Sequence, residues 1–206
     1  MTITGSPHVA LVTGANQGIG AATAVVLGRR GAAVLVAYFR PGDDEGQPAE
    51  YNRLRRGDAA DVVAEIERAG GRARAVEADL RDPASPALLF DAAEERLGPV
   101  DILVNNASGW VQDTFTPAER DKFGRPMRPV TAETFRQQFA VDAMAPALLI
   151  AEFARRHRAR GATWGRIVGS PPAGSTGSRT RCPTAPPRRR RRTTRCRRRW
   201  SSRPTA

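Results

Sequence analysis

Three short clusters in this chain combine the residue types and spacing that a nucleotide site needs. Thr13-Gly14-Ala15-Asn16-Gln17-Gly18-Ile19-Gly20 directly follows the apolar run Val9-Ala10-Leu11-Val12 and opens a helical stretch. A strand that ends in a glycine-rich turn and feeds a helix N-terminus is built for phosphate. The glycines let backbone approach a pyrophosphate, and the helix end offers unpaired N–H groups and a positive dipole. Asp79-Leu80 follows a third strand-like run, and Asn105-Asn106-Ala107-Ser108 follows a fourth. Each has a plain alternative when taken alone: a glycine turn simply joins strand to helix, and asparagines are favoured in turns. Together they fall at the C-terminal ends of what read as adjacent strands, where ligands bind in open parallel sheets, and they point to a dinucleotide site.

Charge bears on which dinucleotide. A carboxylate at the end of strand two would bond the ribose 2′-OH of NAD and repel a 2′-phosphate. That place reads Ala37-Tyr38-Phe39-Arg40, with no acid before Asp43. Arg40 suits a 2′-phosphate, so NADP is expected in preference to NAD; the alternative is that Arg40 is a solvated loop residue.

The elements that must hold these clusters alternate along the chain. Strands are expected at Val9–Val12, Ala33–Ala37, Ala73–Ala78, Ile102–Val104 and Arg166–Gly169. The second is continuously apolar, as in a parallel strand covered on both faces. Helices are expected at Ile19–Arg30, Asp58–Ala69, Ser85–Leu97 and Ala132–Ala159, the last interrupted near Pro146, which lacks a backbone donor. Pro41 to Gly57 reads as an enlarged surface loop, and Ser108 to Pro129 as an irregular segment beside the substrate. Repeated β-α-β units make the fold class α/β: a Rossmann-type doubly wound parallel sheet with helices on both faces, incomplete at its C-terminal end. Residues 1–169 form the expected dinucleotide-binding domain. Residues 170–206, rich in Pro, Ser, Thr and Arg with almost no core formers, are expected to be disordered.

The net charge of +12 on 206 residues would ordinarily suggest a nucleic-acid partner. Its placement argues otherwise: residues 179–206 hold 12 arginines and no acid, so the body is neutral. The tail carries no aromatic except Trp200 and no recognition fold, and the expectation is non-specific, salt-sensitive attraction to nucleic acid. Cys182 and Cys196 have no neighbouring histidine and make neither a disulfide framework nor a zinc site. No leader pattern opens the chain and no apolar run approaches the ~20 residues that span a bilayer, so a cytoplasmic protein without a membrane partner is expected.

Thr-Gly-x-x-x-Gly-Ile-Gly, then Asp-Leu, then Asp-Ile-Leu-Val-Asn-Asn-Ala-Ser, then Gly-Arg-Ile-Val resembles the short-chain dehydrogenase/reductase family, most closely its 3-oxoacyl-(acyl carrier protein) reductase type, from about Val9 to Val168. The resemblance implies that Gly14, Asn16, Gln17, Gly18, Ile19 and Gly20 wrap the cofactor phosphates and ribose. It implies that Asp79 and the Leu80 backbone hold the adenine. Asn105, Asn106 and Ala107 would then support strand four and the ribose. It implies hydride transfer on a small carbonyl or alcohol substrate.

The same resemblance exposes a gap. The family's chemistry uses a tyrosine and a lysine one helical turn apart, the lysine lowering the phenol's pKa, with a serine to orient the carbonyl. Here the only tyrosines are Tyr38 and Tyr51, the only lysine is Lys122, and no Tyr-x-x-x-Lys occurs. Ser170 lies out of the family's register, and Asp142 stands where the family usually has asparagine. No catalytic set is intact. The tail offers a reason: with permitted synonymous codons, Arg179 to Arg189 read one base earlier encodes Pro-Asn-Glu-Val-Ser-Tyr-Gly-Ala-Ala-Lys-Ala. The segment after about residue 177 therefore reads as a frameshift product. The chain is expected to be inactive, with the family's homo-oligomer compromised and apolar faces left exposed.

Overall fold

A computed structural model describes residues 8–40, 42, 53, 57–116, 119–121 and 124–169. Expectations for most of the 41–57 loop, for Tyr51, Lys122, Ser170, Cys182 and Cys196, and for the 170–206 tail fall outside those residues. In chain order the elements are β1 (Val9–Thr13), α1 (Gly18–Arg29), β2 (Ala33–Tyr38), α2 (Ala60–Arg68), β3 (Arg72–Glu77), α3 (Ser85–Arg96) and β4 (Val100–Asn105). Then come β5 (Asp113–Thr114), β6 (Arg128–Pro129), α4 (Ala132–Phe139), α5 (Ala145–Ala159) and β7 (Arg166–Gly169).

Five parallel strands form one sheet in the order β3-β2-β1-β4-β7. Successive strands run outward from β1 to β3, and the chain then crosses back to place β4 on the other side of β1. This reversal opens a crevice at the C-terminal ends of β1 and β4. The motifs by themselves predict the three clusters on adjacent strands. Only those of β1 and β4 are neighbours, because β2 intervenes before β3 and brings Arg40 in between.

Alternation along each strand explains why both faces are covered. Val9 and Leu11 of β1, with Leu35 and Leu103, face Leu89, Phe90, Leu149 and Phe153 of α3 and α5. Ala10 and Val12, with Val34, Val36 and Val104, face Ala24, Val25, Val62 and Ile66 of α1 and α2. A period of two on a two-sided apolar strand sends neighbours to opposite layers. Phe90 and Phe153 meet edge-on with centroids 6.4 Å apart. Arg156 of α5 locks the α3–α5 layer by bonding Asp91, Glu94 and Glu152, each at 2.6 Å, while lying 5.6 Å from the Phe90 ring centre.

The long helix is interrupted near Pro146 as expected, and the interruption is a π-helical turn, Ala140–Met144, that ends just before the proline. Widening the turn by one residue is one way a helix accommodates a proline nitrogen that cannot donate. The segment expected to be irregular contains a short parallel pairing of β5 with β6. At the far edge, all four residues of β7 are exposed, Ile167 at 43% and Val168 at 51%. Phe135 and Phe139 of α4 are exposed too and stack on each other. No described helix is long and apolar enough to cross a membrane.

Candidate functional site

The crevice is built around Thr13, the last residue of β1. Its side chain is buried, and its Oγ1 accepts from the Asn106 N–H at 3.0 Å and the Ala107 N–H at 3.1 Å while donating to the Val104 carbonyl at 3.3 Å. One hydroxyl thus fastens the end of β4 to the end of β1. Asn106 returns the tie: its Nδ2 donates to the carbonyls of Thr13 and Gly14, both at 3.0 Å. These bonds fix the path of the glycine turn as it leaves the sheet.

Sterics account for the glycines. Gly14 has φ 62°, and a Cβ there would lie 2.8 Å from the Ala107 Cα, so neither the conformation nor the space admits a side chain. Gly20, inside the first turns of α1, faces the Gly14 carbonyl oxygen and the Asn106 Nδ2; a Cβ would stand 2.5 Å from that nitrogen and closer still to the oxygen. Gly14, Gly20, Asn106 and Ala107 therefore form one close-packed unit.

The outer side of the turn is open. A Cβ built on Gly18 meets nothing within 4 Å. Gln17 is the N-cap of α1 in extended backbone, yet it makes no side-chain capping bond, and the first turn contains no acid. The leading N–H groups of α1 are therefore uncapped by any side chain, the state in which a helix end takes an anion. Ile19 stands beside them, 64% exposed. Asn105, at the end of β4, is buried and its Oδ1 has no partner. An open cradle, an uncapped helix end and an orphaned buried oxygen fit an anionic ligand with polar groups.

Other expected residues are present but engaged elsewhere. Asn16 is engaged outside the turn, its Nδ2 donating to the Gly57 carbonyl at 2.8 Å. Asp79 lies beyond β3 with its carboxylate held by Arg81, through Nε at 3.0 and 2.9 Å and Nη2 at 2.6 Å; the Arg81 N–H adds a further bond at 2.9 Å. Hydrogen bonding from Arg81 keeps the Asp79 carboxyl below its usual range. Leu80 is nearly buried and packs into the α3–α5 layer. Arg40 binds Glu77 rather than facing solvent alone, with Nε–Oε2 at 3.0 Å and Nη2–Oε2 at 2.5 Å. Asp142 lies in the π turn, where its Oδ1 accepts the Gly109 N–H at 3.1 Å and ties the loop after β4 to the long helix. Among the described residues no cluster of His, Cys, Asp and Glu is arranged to hold a metal.

Three contributors escaped the sequence reading: the Thr13 hydroxyl, Glu77 and Arg81. Thr13 begins the glycine motif, and its position at a strand end was a usable signal. Glu77 and Arg81 look like ordinary solvated charges in the sequence.

A family model described as short chain dehydrogenase matches residues 8–177. The short chain dehydrogenase claC of Passalora fulva is 38% identical over 161 residues, which cover 78% of this chain and 49% of that protein. Versicolorin reductase 1 of Aspergillus parasiticus is 37% identical over 160 residues, covering 78% and 50%. Among solved structures, a 3-oxoacyl (acyl-carrier-protein) reductase from Agrobacterium tumefaciens with NADP bound superposes with a TM-score of 0.60 at 30% identity, covering 82% of this chain and 54% of the other. A metagenomic short-chain oxidoreductase in complex with NADP gives a TM-score of 0.57 at 31% identity, covering 79% and 61%. The chain spans about half the length of the relatives it matches.

Proposed function

The chain belongs to the short-chain dehydrogenase family, and from that premise we propose that it binds NADP in the crevice between β1 and β4 without completing hydride transfer. The uncapped N-terminus of α1 above an open glycine turn carries this reading, since it supplies N–H donors and a positive dipole with no competing acid. NADP bound to two relatives in the solved structures supports the choice of ligand.

In this reading Gly14, Asn16, Gln17, Gly18, Ile19 and Gly20 wrap the phosphates and ribose, and Arg40 meets the 2′-phosphate. Asp79 and the Leu80 backbone hold the adenine, and Asn105, Asn106 and Ala107 line the ribose side. When bound, the nicotinamide supplies a hydride donor or acceptor for a small carbonyl or alcohol. The sequence contains no Tyr-x-x-x-Lys pair to supply a proton to the carbonyl oxygen. Tyr38, its one described tyrosine, ends β2 and is followed at i+4 by Gly42, not lysine. Its ring instead lies 6.0 Å from the Arg40 guanidinium carbon. The frameshift reading of residues beyond 177 would account for the gap, and the arginines of 179–206 would add salt-sensitive attraction to phosphate polymers.

Titrating the 206-residue chain with NADPH while following its fluorescence tests binding, and assay with small ketones and alcohols tests turnover. Saturable NADPH binding with no reductase activity above background is the expected pair of results. Turnover overturns the inactivity, and absence of binding overturns the site. Reading the coding DNA tests the tail: a one-base-shifted frame without Tyr-x-x-x-Lys removes the frameshift explanation.

A further inference from the structure

We infer that the Arg40–Glu77 ion pair sets how strongly this chain prefers NADP over NAD, with Glu77 competing against the 2′-phosphate for the Arg40 guanidinium. The inference rests on the dinucleotide reading above and assigns a specificity role to Glu77, a residue of the neighbouring strand.

The sheet register creates the pair. Tyr38, the last residue of β2, lies directly beside Glu77, the last residue of β3. Two residues past Tyr38 the chain turns Arg40 back over that strand end. The Arg40 N–H donates to Glu77 Oε1 at 3.2 Å, and its guanidinium bonds Oε2 through Nε and Nη2. Backbone and side chain of Arg40 are thus both fastened to one carboxylate. Hydrogen bonding from Arg40 holds the Glu77 carboxyl below its usual range, so Glu77 is ionised at neutral pH.

Among the described residues, the ion pairs give Glu77 no cation other than Arg40. The second arginine of this rim, Arg81, is occupied by Asp79 and lies 5.4 Å from the centre of the Phe39 ring. Asp58, whose Oδ1 accepts the Ala60 N–H at the start of α2, adds a further negative charge within electrostatic reach of Arg40. Among the described residues of this rim, Arg40 and Arg81 therefore lie with three carboxylates: Glu77, Asp79 and Asp58. A doubly charged 2′-phosphate entering this rim must take Arg40 from Glu77 and then lie beside the released carboxylate. A ribose 2′-OH meets neither cost, and it finds in Glu77 an acceptor of the kind that a strand-two carboxylate provides in NAD sites. Both effects narrow the preference for NADP that Arg40 alone would give.

The test compares the full 206-residue wild type with Glu77→Gln, Arg40→Gln and the double variant, titrated calorimetrically with NADP+ and, separately, NAD+ at one fixed ionic strength. Both positions are solvent-exposed, and unchanged circular dichroism and melting temperature establish that the variants fold. Exchange of an exposed ion pair sets the scale, so Glu77→Gln should tighten NADP+ about threefold to fivefold while NAD+ stays level or weakens. In the Arg40→Gln background the gain from Glu77→Gln should shrink. A Glu77→Gln protein with an unaltered NADP+ to NAD+ affinity ratio overturns the role of the pair while leaving the site standing. A wild type that binds neither dinucleotide overturns the site itself, and the specificity role with it.

Discussion

Replacing Gly20 with alanine drives a methyl group into the tightest junction of the crevice. The new Cβ would stand 2.5 Å from Asn106 Nδ2 and closer to the Gly14 carbonyl oxygen. Neither neighbour yields cheaply. The oxygen is backbone in a turn fixed at φ 62°, and the amide is tied to two carbonyls at 3.0 Å each. Relief means overpacking strain of about 1–3 kcal/mol together with loss of one or both Asn106 bonds, about 1 kcal/mol apiece. Alanine returns at most about 1 kcal/mol of helix propensity. The balance is a destabilisation of roughly 1–4 kcal/mol, at about 2–4 °C of melting temperature per kcal/mol for a domain of this size. Gly18→Ala is the control, because its Cβ meets nothing and only its φ of 58° is strained, at a cost of about 1 kcal/mol. Urea unfolding of the two variants and wild type gives the stabilities, and NADPH titration gives the binding. Gly20→Ala should be clearly the less stable, while Gly18→Ala keeps its fold and loses affinity, its methyl group entering the open side of the cradle. Equal stabilities for the two variants would refute the close-packed account of the turn.

Thr13→Val keeps the buried shape but strands the N–H groups of Asn106 and Ala107, so urea unfolding should show a loss of about 2–4 kcal/mol. Thr13→Ser, which retains the hydroxyl, should recover most of it. Arg156→Met should cost roughly 2 kcal/mol at pH 6 by leaving Asp91, Glu94 and Glu152 without their shared cation. The pH dependence has a definite sign. Bonds from Arg155 and Arg156 hold the Glu152 carboxyl down to about 2 from an ordinary 4.5. A depressed carboxylate pKa stabilises the fold above the unfolded value and loses that contribution as pH falls from 4.5 toward 2. Wild type and Arg156→Met should therefore converge in stability on acidification over that window, and a gap that persists unchanged at pH 2 would contradict the ion-pair account.

Much of the architecture was legible because it rests on local patterns. The apolar runs at Val9–Val12 and Ala33–Ala37 specify parallel strands buried on both faces, and the glycine spacing of 14, 18 and 20 marks the turn after the first. The π turn at Ala140–Met144 was not legible. Pro146 signals that a donor is missing, but whether a helix breaks, kinks or widens depends on its packing. The β5–β6 pairing was also hidden, since two residues on each strand carry no periodicity.

The sequence by itself determined the order of the main-sheet strands and the helices between them, the glycine turn after β1 and the lack of a Tyr-x-x-x-Lys pair, since these follow from residue types at short range. Tertiary structure alone decided which strands became neighbours and therefore which charges meet. It put β2 between β1 and β3, set Tyr38 beside Glu77, and so gave Arg40 a carboxylate partner 37 residues away. It also let the Thr13 hydroxyl join β1 to β4 across more than 90 residues. Sheet register is a long-range choice made by the packing of whole faces, and no local run of residues records it.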